Sequence, residues 1–195
     1  DYGLAHAYYA FARVMLAGFG RAAPAALDSA LEIAVRATTL DPDQPTAHRV
    51  LSFVQMYRRN YAAAEHHLRH AIALNPYDAE AIDQMGYLLT LRGHPLEALA
   101  WIDRACRLNP IHPPWYEHDR AFALYMLGEY RDAASVIELT PVLPPWMRTW
   151  LAACYAQLGE LETARNHASR ITENDPSFSA ENFARKNGAA FERES

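Results

Sequence analysis

The chain has 195 residues, 51% hydrophobic and 21% charged, which excludes intrinsic disorder and fits one globular domain or one short repeat array. Its 18 Lys and Arg against 23 Asp and Glu leave a net charge of -5, which argues against a dedicated nucleic-acid binder with a basic stripe. The longest apolar stretch, Leu4 to Phe19, is broken by His6 and Arg13, so no segment reaches the roughly 20 apolar residues of a membrane span.

In chain order, residues 1–44 read as a degenerate helical pair, with helices at about 4–18 and 25–40 joined by a longer loop through Gly18, Gly20 and Pro24. A regular beat then takes over. Leu40-Asp41-Pro42, Leu74-Asn75-Pro76 and Leu108-Asn109-Pro110 recur 34 residues apart, and Ala30, Ala64 and Ala98 keep the same step. Gly93, Gly128 and Gly159 mark a second phase with steps of 35 and 31, and Pro145 and Pro176 delimit further units. The beat sets units at 45–78, 79–113, 114–144 and 145–178, followed by a capping helix and tail at 179–195. No segment alternates apolar and polar residues, so the predicted fold is all-α.

The unit at 79–113 shows the pattern most clearly. Ile82, Met85, Leu88 and Leu89 fall at helical spacing, Gly93 ends that helix, and Pro95 opens a second one carrying Leu99, Ile102 and Leu108. Small residues at Gly86, Ala98 and Ala105, echoed by Ser52, Ala64 and Ala71, predict close helix–helix approach. The unit at 114–144 departs from the pattern. It places Arg120-Ala121 where a large and a small residue are expected, so Arg120 requires Glu117, Asp119, a neighbouring helix's acid, or water. Its second helix is predicted to end near Thr140, ahead of Pro141.

These anchors resemble the tetratricopeptide repeat family: Met85-Gly86, Leu89, Gly93, Ala98, Ala105 and Pro110 in one unit, and Leu151-Ala152, Tyr155, Gly159, Ala164 and Pro176 in another. The resemblance covers about residues 45–176. It implies a right-handed superhelix of about four to five helix-turn-helix repeats, with the first helix of each unit lining a concave groove. The stretches around Ala73 to Ala81 and Leu151 to Glu162 further resemble C-terminal repeat regions of bacterial multidomain regulators, which follow a class III nucleotide cyclase or a winged-helix domain. The opening Asp1, in place of Met, agrees with a piece of such a longer chain.

The resemblance also implies which side chains face the groove. They are Phe11 and Met15 in the first pair; Arg49, Phe53, Met56 and Tyr57; Glu80, Asp83, Tyr87 and Leu91; Trp115, His118, Phe122, Tyr125 and Met126; and Trp146, Thr149 and Gln157. One reading makes this aromatic band a peptide- or protein-recognition surface with Arg49, Asp83 and His118 as polar handles. The other makes the rings ordinary packing between helices. Trp115 and Trp146, each after Pro-Pro, are equally paired rim anchors or staples onto the preceding unit. On the recognition reading, Trp115→Ala and Phe122→Ala weaken binding without unfolding the chain. The carboxylate-clamp positions of one subclass hold Arg49, Phe53, Gln84, Trp115 and Asp119, of which Arg49 alone fits, so a hydrophobic or mixed peptide is expected.

Catalytic signatures are missing: no GxSxG, no phosphate-cradling glycine loop and no dinucleotide fingerprint. His66 and His70, four apart beside His67 and Glu65, have the spacing of two zinc ligands, but no third ligand follows at a defined spacing, and solvated histidines are expected. Cys106 and Cys154 read as small core residues in a reducing, cytoplasmic setting. The expectation is therefore a non-enzymatic module without metal or cofactor, binding an unknown protein or peptide, with no nucleic-acid or membrane partner. A homodimer through the exposed aromatics is the alternative, and a metal-binding protein using His66 and His70 the third.

Overall fold

The computed structural model describes residues 2–19, 22–140, 143, 145–176, 178, 179 and 181; the expected capping helix and tail at 179–195 lie almost wholly outside them. Ten helices follow one another in this part of the chain, with no strand among the described residues: α1 (Gly3–Leu16), α2 (Pro24–Leu40), α3 (Pro45–Tyr57), α4 (Tyr61–Leu74), α5 (Ala79–Leu91), α6 (Pro95–Leu108), α7 (Pro114–Leu127), α8 (Tyr130–Glu138), α9 (Pro145–Gln157) and α10 (Leu161–Asn174). Each odd helix pairs with the even helix after it, and successive odd helices also touch one another. The result is an inner layer of odd helices and an outer layer of even ones.

The repeated sequence anchors are helix stops. Asp41, Asn75, Asn109 and Asp175 each precede a proline, which disfavours the helical conformation of the residue before it. All four are C-caps with φ between -128° and -144°, and their N–H groups donate back to the carbonyls of Ala37, Ala71, Ala105 and Ile171. The tight turns inside the hairpins repeat a second device. Gly93, Gly128 and Gly159 take φ of 82°, 84° and 77°, and the following residue's N–H reaches back to Leu89, Leu124 and Tyr155 at 2.9, 3.0 and 2.9 Å. Between α3 and α4 the same left-handed position is filled by Arg59 at φ 61°, with Asn60 N–H donating to the Gln55 carbonyl at 3.0 Å.

Packing follows the small residues. Ala64, Ala71, Ala98, Ala105 and Ser52 have no exposed surface. Gly86 on α5 lies against α6, where a Cβ would meet Ile102 Cγ1 at 2.5 Å and the Ala98 carbonyl at 3.0 Å. The helix α8 stops at Glu138, two residues before Thr140, as its following prolines require. Arg120 finds an acid on the neighbouring helix: its guanidinium is 2.6 Å from Asp103 of α6 and 3.7 Å from Glu117.

Candidate functional site

Successive inner helices bring their aromatic residues into two groups. In the first, Phe11 of α1 and Tyr57 of α3 each lie 4.9 Å from the ring of Phe53, and Phe19 closes onto Tyr57 at 5.8 Å. In the second, Phe122 of α7 sits 5.9 Å from Tyr87 of α5 and 4.9 Å from Trp150 of α9, which also holds Tyr125 at 5.4 Å and His118 at 6.1 Å. Tyr57 and Tyr87 are the neighbouring members of the two groups, and burial pushes both phenols up from their ordinary range. Gln157 Nε2 donates to the Tyr125 hydroxyl at 3.4 Å at the far end.

Beneath the rings lies a polar layer. Gln84 Nε2 donates to the Arg49 carbonyl at 3.1 Å and to Ser52 Oγ at 3.2 Å, tying α5 to α3. His118 Nδ1 is 2.7 Å from Asp119 Oδ1. Asp83 and Asp119 are both buried, and Asp83 Oδ1 has no hydrogen-bond partner. Burial raises both carboxyls well above their usual range, helped for Asp83 by the neighbouring Asp119 and Glu80. Desolvation pulls His118 down to about 4, so its ring is neutral at pH 7. Arg49 Nε is buried without a hydrogen bond, 3.9 Å from Asp78.

Of the side chains expected to line the groove, Met15 and Trp115 are 45% and 46% exposed. Phe11, Arg49, Phe53, Tyr57, Tyr87, His118 and Tyr125 are half-buried, showing an edge while packing on their neighbours. Asp83 and Phe122 are only 3% and 4% exposed, so they support the band from below and offer little contact surface. That revises the expectation for Phe122→Ala: Phe122 belongs to the core between α5 and α7, and its truncation also destabilises the chain. The Trp146 side chain lies outside the described residues. Trp115 has Tyr116 as its ring neighbour, 6.5 Å away.

Two ring contributors escaped the sequence reading. Trp150 follows Thr149, the residue the family template places in the groove, and Phe19 comes from the α1–α2 turn with φ 55°. A tryptophan one step from a template position was the available signal for Trp150. Phe19 had none, because its placement depends on the turn. At the carboxylate-clamp positions, Phe53 is engaged by rings and Gln84 by backbone, so Arg49 gains no second basic partner there.

Nothing in the layer resembles an activated nucleophile. Burial holds the Cys154 thiol up at about 12, and the Cys106 thiol is raised for the same reason, 3.6 Å from Arg120. No helix among the described residues is long and apolar enough to cross a membrane.

Stacked helical hairpins with an inner layer, proline-stopped outer helices and small residues at the crossings define a tetratricopeptide-type superhelix. Among solved structures, the thermophilic TPR protein TTC0263 of Thermus thermophilus superposes with a TM-score of 0.72 at 22% identity, covering 91% of this chain and 94% of that one. PilW, a type IV pilus biogenesis factor, superposes at 0.76 with 19% identity over 96% and 88% of the two chains. YrrB, a TPR protein with an unusual peptide-binding site, does so at 0.57 with 21% identity over 82% and 84%. A TPR repeat-containing thioredoxin of Arabidopsis thaliana, TTL4, is 37% identical over 93 residues, 46% of this chain. The chain spans 14% of the length of that relative. No protein-family model matches the chain. The relative and the solved structures together support the tetratricopeptide resemblance and its fold.

Proposed function

We propose that this array binds an extended peptide or protein segment along its inner layer, with the aromatic band as the contact surface. The observation that carries the reading is the run of half-buried rings from Phe11 through Tyr57 and Tyr87 to Tyr125, supplied by four successive inner helices and held by one another. Rings already fixed by their neighbours lose little freedom on binding, so their contact area converts into affinity. The peptide-binding site of the similarly folded YrrB points the same way. The array acts as a non-enzymatic regulatory or docking arm of a larger bacterial, cytoplasmic protein, as the likeness to the repeat regions of multidomain regulators implies.

The test is selection of a displayed random-peptide library on the whole chain, followed by titration of the selected peptide against variants. Trp115→Ala and Tyr87→Ala weaken binding about tenfold each, the effect of losing a modest aromatic anchor. Leu96→Ala on the outer helix α6, where the side chain is 73% exposed, leaves binding unchanged. Equal losses in all three variants, or none in any, sink the groove reading. The competing homodimer rests on the exposed Tyr8, Tyr9 and Leu16 of α1. Light scattering decides it, because a monomer at every concentration leaves that face without a second copy.

A further inference from the structure

Antiparallel packing of α3 on α4 gathers four of the chain's nine histidines on one patch, away from the aromatic band. His66, His67 and His70 come from α4, and His48 arrives from the first turn of α3. His48 Nδ1 faces His67 Nδ1 at 3.4 Å. Two zinc–imidazole bonds at a tetrahedral angle hold their nitrogens about 3.4 Å apart, so these atoms already stand at the bite distance of one metal ion. The other His48 nitrogen, Nε2, lies 2.8 Å from the Pro42 carbonyl. A carbonyl only accepts, so Nε2 carries the proton and Nδ1 turns its lone pair toward His67. Metal-binding histidines are commonly oriented by this kind of outer hydrogen bond.

We propose that His48 and His67, joined by His70, form a site for a divalent transition metal that prefers imidazole, such as Zn2+. The His70 ring is 4.4 Å from that of His48, and its side chain is exposed and able to turn. Among the described residues no three such groups are already closed around a point. Turning His70 inward supplies the third ligand, and water completes the shell. In the metal-free chain His67 Nδ1–H donates to His48 Nδ1. On binding, His67 exchanges that tautomer for the Nε2–H form, which frees its Nδ1 lone pair for the ion.

The experiment is calorimetric titration of the whole metal-free chain with ZnCl2 at pH 7.5 (about a unit above the ordinary imidazole range), with Co2+ absorption as a second readout. One ion binds per chain, and the Co2+ complex shows the visible bands of a low-coordinate nitrogen site. His48→Gln and His67→Gln each weaken binding by about tenfold or more. His94→Gln and His66→Gln leave it within about twofold, a difference well under 1 kcal/mol. Circular dichroism checks each variant, and His67→Gln decides alone if His48→Gln fails to fold. Absence of binding overturns the site. So does a loss confined to His66→Gln and His70→Gln, which would describe a surface chelate that leaves out His48.

Discussion

Gly86 and Ile102 meet across the α5–α6 crossing so closely that a Cβ on Gly86 would stand 2.5 Å from Ile102 Cγ1 and 3.0 Å from the Ala98 carbonyl. Glycine inside a helix costs about 1 kcal/mol relative to alanine, so propensity alone favours Gly86→Ala. The contact opposes it, because the Ala98 oxygen is backbone and cannot move without shifting α6. Overpacking of this kind costs about 1–3 kcal/mol. Gly86→Ala is therefore net destabilising by about 1 kcal/mol, read from urea unfolding midpoints. A variant as stable as the parent would show that α5 and α6 separate freely.

Arg59 gives the opposite case. It occupies the left-handed position that glycine fills in the other three outward turns from α5 to α10, at φ 61°. A side chain there costs about 1–2 kcal/mol, against which glycine's greater freedom in the unfolded chain takes back part. Arg59→Gly stabilises the chain by about 0.5–1 kcal/mol. Its neighbour Arg58 holds the ion pair with Asp28, so that contact survives the substitution. Unchanged or lowered thermal stability would contradict the strain.

Asp83 and Asp119 set a pH dependence of definite sign. Their folded carboxyls are raised above the unfolded value, chiefly by burial. The stability they contribute is fully present below the unfolded carboxylate range and is lost as pH rises through the raised folded value. Asp83→Asn, neutral at every pH, removes the share of that loss that belongs to Asp83. Relative to the parent it gains stability between pH 4.5 and pH 8, values chosen to span the range above the ordinary carboxylate pKa of about 4. A constant difference over the window would mean that the pair is ionised in the folded chain at all of these pH values.

The histidines act in the other direction. His67 and His118 are held at about 4, and His48 and His167 are lowered too, mainly by desolvation. The unfolded chain therefore takes up protons below the ordinary imidazole value of about 6.5 that the folded chain refuses, and stability falls as pH drops from there toward 4. In a chelator, His67→Gln loses less stability than the parent between pH 7 and pH 4.5, the window in which an unperturbed imidazole of pKa about 6.5 charges. The difference from the parent isolates this effect from the opposing one of the acid pair. Parallel stability curves for the two proteins would rule out the depressed ring.

The one-dimensional features of this protein were legible before any coordinate was known. Helix ends follow from what proline does to the residue before it, at Asp41, Asn75, Asn109 and Asp175, and from glycine in the turns. The 34-residue beat and the small residues at Gly86 and Ala98 specified paired helices at close crossings, because a stack of identical hairpins must repeat its contacts. Arg120 likewise announced its need for an acid, and Asp103 on the preceding helix meets it.

What the sequence could not reveal is how far each side chain turns into the groove. One helical step separates Thr149 from Trp150 and His118 from Asp119, and the interhelical angle decides which of the two meets the neighbouring helix. Tertiary packing therefore buried Asp83 and Phe122 beneath the band they were expected to line, and it brought in Trp150 and Phe19. It also carried His48 to His67 across a hairpin, a meeting that spacing along one helix could not foretell. Periodicity is a local property that repeats along the chain, whereas the groove's surface is set by rotations between helices that differ from unit to unit.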